Sequence, residues 1–267
     1  MPAGSAGTPG ALPVFYEFPA PKAWRAIDFI SDLHLSPALP RTVEVWARHL
    51  RETPADAVFI LGDLFEVWVG DDASALPFER HCVDVIAEAT SRRCIAFMVG
   101  NRDFLLGYRA LRDSGMMGLP DPTVLTAWGQ RILLTHGDAL CLDDTDYQAF
   151  RREVRSDRWQ QAFLGQPLAQ RQKIAAAIRS ESQSRRRFDG AMNSDADAGT
   201  AVAWLHATGA AEMVHGHTHR PGSEALAPGF KRHVLSDWDL DDPVAPRAEV
   251  LRLQRGGFER LAPAGPR

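Results

Sequence analysis

Cysteine is scarce in this chain of 267 residues: Cys82, Cys94 and Cys141 lie in or beside apolar stretches, without CxxC spacing. That excludes a disulfide-dense scaffold and favours reduced thiols in a cytoplasmic protein. Long apolar runs are missing too, since none reaches the ~20 residues that a spanning helix needs. Residues 1–10 hold no Lys or Arg, so the charged start of a signal peptide is absent. There is no excess of positive charge, because the formal net charge is -4. The chain as a whole is therefore not a polyanion binder, and no nucleic-acid partner is expected. With 45% of residues hydrophobic and 24% charged, one large globular domain with an inserted subdomain is the expected organisation.

What is present falls into an ordered pattern. Residues 1–24 read as a flexible leader, with Val14, Phe15 and Tyr16 packing locally. Continuous apolar runs at 26–30, 57–61 and 94–99 predict buried strands, and helical spacing at 42–50 and 78–90 separates them. Strands apolar on both faces that alternate with helices predict an α/β sheet covered on both sides. The second half predicts more β-structure, with strands at 131–135, 211–214, 232–235 and 247–253, before a tail at 257–267. The core is expected over 25–146 and 196–256. Between them, residues 147–195 read as helices over 147–163 and 168–188, rich in Arg and poor in acid. This segment is an amphipathic pair resting on the core with solvated arginines, or a lid over a site. The excess of positive charge in an acidic chain favours the lid.

Five short motifs stand where apolar strands end: Asp32-x-His34, Gly62-Asp63, Gly100-Asn101-Arg102-Asp103, His136-Gly137 and Gly216-His217-Thr218-His219. In extended chain, Asp32 and His34 project to the same side. Ligands of α/β sheets collect at the carboxyl ends of strands. A lone His136 or His217 would read as a buried, hydrogen-bonded histidine, and Asp63 alone as a helix cap. All five motifs together point to a site for divalent metals, since mixed imidazole and oxygen donors suit Mn²⁺, Fe²⁺ or Zn²⁺.

These motifs resemble those of the calcineurin-like dinuclear metallophosphoesterases, from Ala26 to about Leu253 with the cap excepted. The resemblance implies a four-layer α-β-β-α sandwich of two stacked sheets flanked by helices, with an inserted helical cap. It implies that Asp32, His34, Asp63 and His219 hold one metal. It implies that Asp63, Asn101, His136 and His217 hold the other, with Asp63 bridging. Two cations about 3.5–4 Å apart suit a bridging carboxylate, an activated water and an in-line displacement at phosphorus. His215 precedes the liganding pair and reads as structural, while Asp103 reads as support for its loop or as a partner of Arg102.

One departure is informative. Many members of the superfamily carry histidine where this chain has Arg102, and arginine cannot donate a proton at neutral pH. It can clamp phosphate oxygens bidentately. A pyrophosphate fits that residue, and a simple alkoxide ester fits poorly. The longer strings, residues 60–72, 100–107, 136–151 and 215–221, resemble the UDP-2,3-diacylglucosamine diphosphatases of lipid A synthesis. That resemblance implies attack of water on the α-phosphate of UDP-2,3-diacylglucosamine, giving 2,3-diacylglucosamine 1-phosphate and UMP, with two Mn²⁺ ions and with Asp63, Asn101 and Arg102 in catalysis. It implies substrate contacts at Asn101, Arg102, Asp144, Ser182, Arg186 and His217, although the lysine expected near Asp189 is missing. It also implies a monomer in peripheral contact with the cytoplasmic face of the inner membrane, with cap arginines near phosphate or anionic lipid. Trp68 and Phe104 fit either the core or a substrate groove. The rivals are another dinuclear phosphoesterase, acting on cyclic nucleotides or nucleotide pyrophosphates, and a metal-binding scaffold without catalysis.

Overall fold

The computed structural model describes residues 12–188 and 195–265, with backbone alone for 181–188. In chain order, β1 (Tyr16–Pro19), β2 (Ala26–Ile30), α1 (Pro40–Glu52), β3 (Ala57–Leu61), α2 (Pro77–Thr90) and β4 (Cys94–Met98) form the first third. Next come α3 (Tyr108–Ser114), β5 (Met117–Leu119), β6 (Thr123–Ala127) and β7 (Gln130–Thr135). Three helices follow: α4 (Thr145–Val154), α5 (Asp157–Leu164) and α6 (Leu168–Phe188). The chain closes with α7 (Ala198–Thr208), β8 (Glu212–His215), β9 (Gly222–Ala227), β10 (Phe230–Val234), β11 (Val250–Gln254) and β12 (Gly257–Leu261).

Side-chain alternation decides the layers. In β2, Ile27 and Phe29 join one apolar cluster and Ile30 another, and all five residues of the strand are buried. Strand β3 divides in the same way, with Phe59 and Leu61 against Val58 and Ile60. Such strands must be covered on both faces. One sheet runs β12-β11-β2-β3-β4-β5, and the other runs β1-β6-β7-β8-β10-β9. Between them lie Ile27, Phe29, Phe59, Met98, Leu125, Leu134 and Val214. Outside the first sheet, Trp46 and Leu50 of α1 and Val83 and Ile86 of α2 cover Ile30, Val58 and Ile60. Outside the second, Ala201, Trp204 and Leu205 of α7 cover Val124, Leu133 and Met213. The result is a four-layer α-β-β-α sandwich. Each large side chain buried in full contributes about 1.5–3 kcal/mol.

The helix ends follow local chemistry. Pro40 and Pro77 occupy the first turns of α1 and α2, where no amide hydrogen is needed. Asp197 caps α7 by accepting from Thr200 N at 2.7 Å, and Gly209 ends it at φ 63°.

Three expectations need correction. The leader is not wholly flexible, because β1 pairs in parallel with β6 at the sheet edge, from Tyr16↔Thr123 to Pro19↔Thr126. Residues 1–11 lie outside the described chain. The tail is not a tail over 257–261, because β12 pairs antiparallel with β11 from Gln254↔Gly257 to Val250↔Leu261. Each added edge strand satisfies backbone groups that the sheet would otherwise leave open. The helix expected over 147–163 is two helices, since Ser156 accepts from Trp159 N and restarts the chain as α5. None of the three cysteines forms a disulfide. Among the described residues, no helix is long and apolar enough to cross a membrane.

Candidate metal centre

The strand ends bring the five motifs to one place. Asp32 and His34 follow β2, Asp63 follows β3 and Asn101 follows β4, all on one sheet. His136 follows β7, and His217 and His219 follow β8, on the other. The backbone there is strained: Asp32 (φ 51°), His34 (φ 47°), Asp63 (φ 53°), His217 (φ 67°) and His219 (φ 52°) all occupy the left-handed region. Such outliers persist where the surroundings over-determine them, typically at functional sites. So Asp32 and His34 do not share the face of an extended strand; the tight loop after β2 places both. Close approach also needs glycine. A Cβ on Gly100 would run into the Asp63 carboxylate, and one on Gly216 into Asp32 Oδ2.

The donor atoms converge. His34 Nε2 lies 3.3 Å from His219 Nε2, and His219 Nε2 lies 3.4 Å from Asp32 Oδ1. Asn101 Oδ1 lies 3.0 Å from His136 Nε2 and 2.9 Å from His217 Nδ1. Asp63 Oδ1 is 3.8 Å from His136 Nε2 and accepts from Arg102 N at 2.8 Å. Asp32, His34 and His219 form one group able to hold a metal ion, and Asp32, Asp63 and His136 another. The carboxylate common to both at this spacing is Asp32, whereas the sequence points to Asp63 as the bridge. Four imidazoles, two carboxylates and an amide oxygen facing one another suit divalent first-row cations.

Supporting contacts fix the ligands. His136 Nδ1 sits 2.9 Å from Leu61 O, which leaves Nε2 free to point inward. Asp237 Oδ2 lies 3.5 Å behind His219 Nδ1, and Glu66 Oε2 lies 3.4 Å behind His34 Nδ1. Asp32 accepts from His217 N at 2.9 Å. Asp103 does not pair with Arg102. It is fully buried and accepts from Leu64 N at 2.7 Å and Gly100 N at 2.8 Å, which ties two ligand loops together. His215 is buried, with Nδ1 2.9 Å from Gly216 O, a structural place.

Burial sets the protonation states. It pulls His34 and His217 down to about 3, so both are neutral and ready to ligate at neutral pH. Burial pushes Asp63 up to about 7, with Asp103 and Asp32 adding to it. Burial would lower His136, but Asp63, Asp138 and Asp32 outweigh it and hold it up at about 9. Burial would raise Asp32, but His219 and the other imidazoles keep it well below the usual carboxylate range.

The cap reaches the site through residues that sequence reasoning left without a role. Buried Asp138 accepts from Tyr147 Oη (2.8 Å), Arg151 Nε (2.8 Å) and Arg155 Nη2 (3.0 Å), all from α4 or the residue after it. The Tyr147 ring stacks on His217, with centroids 5.7 Å apart. Arg171 of α6 reaches Val69 O and Asp72, and Arg179 Nε is 2.8 Å from Glu66 Oε1. These arginines dock the cap on the core, which supplies the acidic and carbonyl partners that the acid-poor cap lacks. Trp68 is core, 2% exposed against Phe65. Phe104 packs toward the cap, 6.1 Å from the Trp159 ring. Asp144 is exposed and caps α4 by accepting from Tyr147 N at 3.0 Å. The side chains of Ser182 and Arg186 lie outside the described residues.

Residues 26–221 match the family model described as calcineurin-like phosphoesterase. A UDP-2,3-diacylglucosamine hydrolase of Ralstonia nicotianae is 45% identical over 241 residues, which covers 85% of this chain and 89% of that one. One from Xanthomonas axonopodis pv. citri is 43% identical over 250 residues, covering 88% and 98%. One from Stenotrophomonas maltophilia is 41% identical over 244 residues, covering 86% and 95%.

Proposed function

Because this chain belongs to the calcineurin-like phosphoesterase family, and within it to the family of the UDP-2,3-diacylglucosamine hydrolases, we propose that it hydrolyses the pyrophosphate of UDP-2,3-diacylglucosamine. The products are 2,3-diacylglucosamine 1-phosphate and UMP. The protein is a metal-dependent hydrolase, and its place is lipid A biosynthesis. On the motif resemblance, Asp32, His34, Asp63 and His219 would hold one divalent cation, and Asp63, Asn101, His136 and His217 the other, while the donor spacing places Asp32 within reach of both groups. Mn²⁺ suits this donor set. When bound, the cations supply Lewis-acid charge for the phosphate oxygens and lower the pKa of a water.

The chain's own residues do the rest. Neutral His34 and His217 offer lone pairs without first losing a proton. His136 and Asp63 lose theirs as cations bind. The observation that carries the reading is Arg102. Its Nε is buried with no hydrogen-bond partner among the described residues, and its charge bears on both His34 and Asp63. A fixed cation beside the ligand cluster is placed to clamp the pyrophosphate oxygens. Asn101 and His217, with Asp144, Ser182 and Arg186 along the cap, contact the remainder of the substrate. The two acyl chains bring the protein, a monomer, to the cytoplasmic face of the inner membrane as a peripheral protein.

The test is a substrate panel with Mn²⁺: UDP-2,3-diacylglucosamine, cyclic AMP and bis(p-nitrophenyl) phosphate. The lipid-linked nucleotide is expected to be hydrolysed with the highest kcat/KM, and preference for cyclic AMP would overturn the proposal. Co-flotation with anionic vesicles tests the membrane contact.

A further inference from the structure

The His34 imidazole has a neighbour that no motif predicts. Glu66, three residues beyond Asp63, lies with one carboxylate oxygen 3.4 Å from His34 Nδ1, a buried nitrogen with no hydrogen-bond partner among the described residues, and with the other 2.8 Å from Arg179 Nε on α6. The carboxylate is largely enclosed, with the Glu66 side chain 16% exposed and that of Arg179 45% exposed. A metal-bound imidazole commonly donates its other N–H to a carboxylate, and Glu66 is the carboxylate within reach of His34 Nδ1, while His34 Nε2 lies 3.3 Å from His219 Nε2.

The corresponding carboxylate behind His219 is Asp237, whose second partner is Arg247, with Nε at 2.9 Å in the core. Glu66 differs because its second partner belongs to the cap. Helix α6 has a separate, buried anchor one end away: Arg171, 3% exposed, donates to Val69 O and Asp72, while its Nε donates to Gln166 O at 2.9 Å. Residues 171 and 179 lie about 12 Å apart along the helix axis. The buried anchor therefore fixes the start of α6. The half-exposed one fixes its further turns through the same carboxylate that orients a ligand.

Resting on the metal-centre reading above, we propose that Glu66 is a positioning residue shared by the cap and the metal centre. One oxygen sets the ring of His34 and the other holds α6 through Arg179, so that metal binding at His34 and docking of α6 favour each other. The reciprocity is thermodynamic: if a bound cation stiffens the Glu66 carboxylate, a docked α6 must favour the cation by the same factor.

The test uses the full chain, stripped of metal by chelation. Mn²⁺ is titrated by calorimetry, and amide hydrogen exchange is followed over residues 168–180 with and without Mn²⁺. In the wild type, Mn²⁺ slows exchange in α6. Glu66→Ala lowers affinity at one of the two sites by about 10–100-fold. Glu66→Gln keeps an acceptor for His34 Nδ1–H but no charge for Arg179, so it retains most of that affinity and loses the Mn²⁺ effect on α6. Arg179→Ala also loses the Mn²⁺ effect on α6. Wild-type Mn²⁺ affinity in Glu66→Ala overturns the proposal, and so does an undiminished Mn²⁺ effect on α6 in Arg179→Ala. Asp32→Ala separates this from failure of the parent reading. If that variant also binds Mn²⁺ as the wild type does, the metal centre itself is misassigned. If it loses Mn²⁺ while Glu66→Ala does not, the coupling alone falls.

Discussion

The Arg102 backbone amide donates to Asp63 Oδ1 while its guanidinium Nε stays without a hydrogen-bond partner among the described residues. Backbone and side chain thus serve different ends, so truncating the side chain leaves the ligand loop intact. Arg102→Ala is expected to bind metal as the wild type does and to lose about 10²–10³-fold in kcat, the cost of removing one fixed donor to developing charge. Metal content by mass spectrometry and steady-state kinetics check both halves. A second prediction concerns protons. Without metal, His136 is raised to about 9 and Asp63 to about 7, and both must be deprotonated to ligate. Metal affinity should therefore rise with pH across the range from about 6 to 9, with protons released on binding; calorimetry in buffers of different ionisation enthalpy counts them. The convergence of the candidate ligands was legible in the sequence because each follows an apolar run and a glycine opens most of their turns. Their left-handed φ values were not legible, since a period-two reading of Asp32-x-His34 assumes extended chain. Glu66, Asp138 and Tyr147 were missed as supports because their partners lie on other elements.

At the scale of elements, the cap is held by buried charge. Asp138, fully buried, answers Tyr147, Arg151 and Arg155 together, and burial of its carboxylate is outweighed by the two guanidiniums. Asp138→Asn leaves both arginines without their anion and is expected to destabilise the protein by about 3–5 kcal/mol. Faster amide exchange in α4 and a lower midpoint in urea would register it. A second buried pair joins the outer face of the first sheet: Arg252 of β11 donates to Asp28 of β2 at 2.6 and 2.8 Å. Burial opposes ionisation of Asp28, but Arg252, His49 and Thr53 lower it from 3.8 to about 2. The folded-state value is depressed, so this stabilisation is present above about pH 4 and is lost as pH falls toward 2, to the extent of about 2 kcal/mol. In Asp28→Asn the corresponding part of the acid-unfolding profile should flatten. The alternation of strands and helices could be read from apolar runs. Strand β1 could not, because its four residues include Pro19 and only half of them turn inward; its pairing with β6 makes it a strand. The break between α4 and α5 rests on one serine hydroxyl, a weaker mark than the Pro or Gly that ends other segments.

At the scale of the whole molecule, two sheets packed through Phe29, Phe59 and Leu134 aim the carboxyl ends of five strands at one point. Neither sheet carries all of the proposed ligands, since Asp32, His34, Asp63 and Asn101 come from one and His136, His217 and His219 from the other. The stacking of the sheets is therefore a condition of the site, which explains why a fold stabilised by burial also creates the chemistry. The cap packs beside that point, with the Tyr147 ring stacked on His217 and Arg155 Nη2 3.1 Å from Gly100 O. The most direct measurement is hydrolysis of UDP-2,3-diacylglucosamine by the Mn²⁺-loaded protein in ¹⁸O-water, with both products weighed by mass spectrometry. The prediction is equimolar UMP and 2,3-diacylglucosamine 1-phosphate, with one ¹⁸O atom in UMP and none in the lipid, and no turnover by Asp63→Ala. Release of UDP in place of UMP, or undiminished turnover by Asp63→Ala, would contradict it.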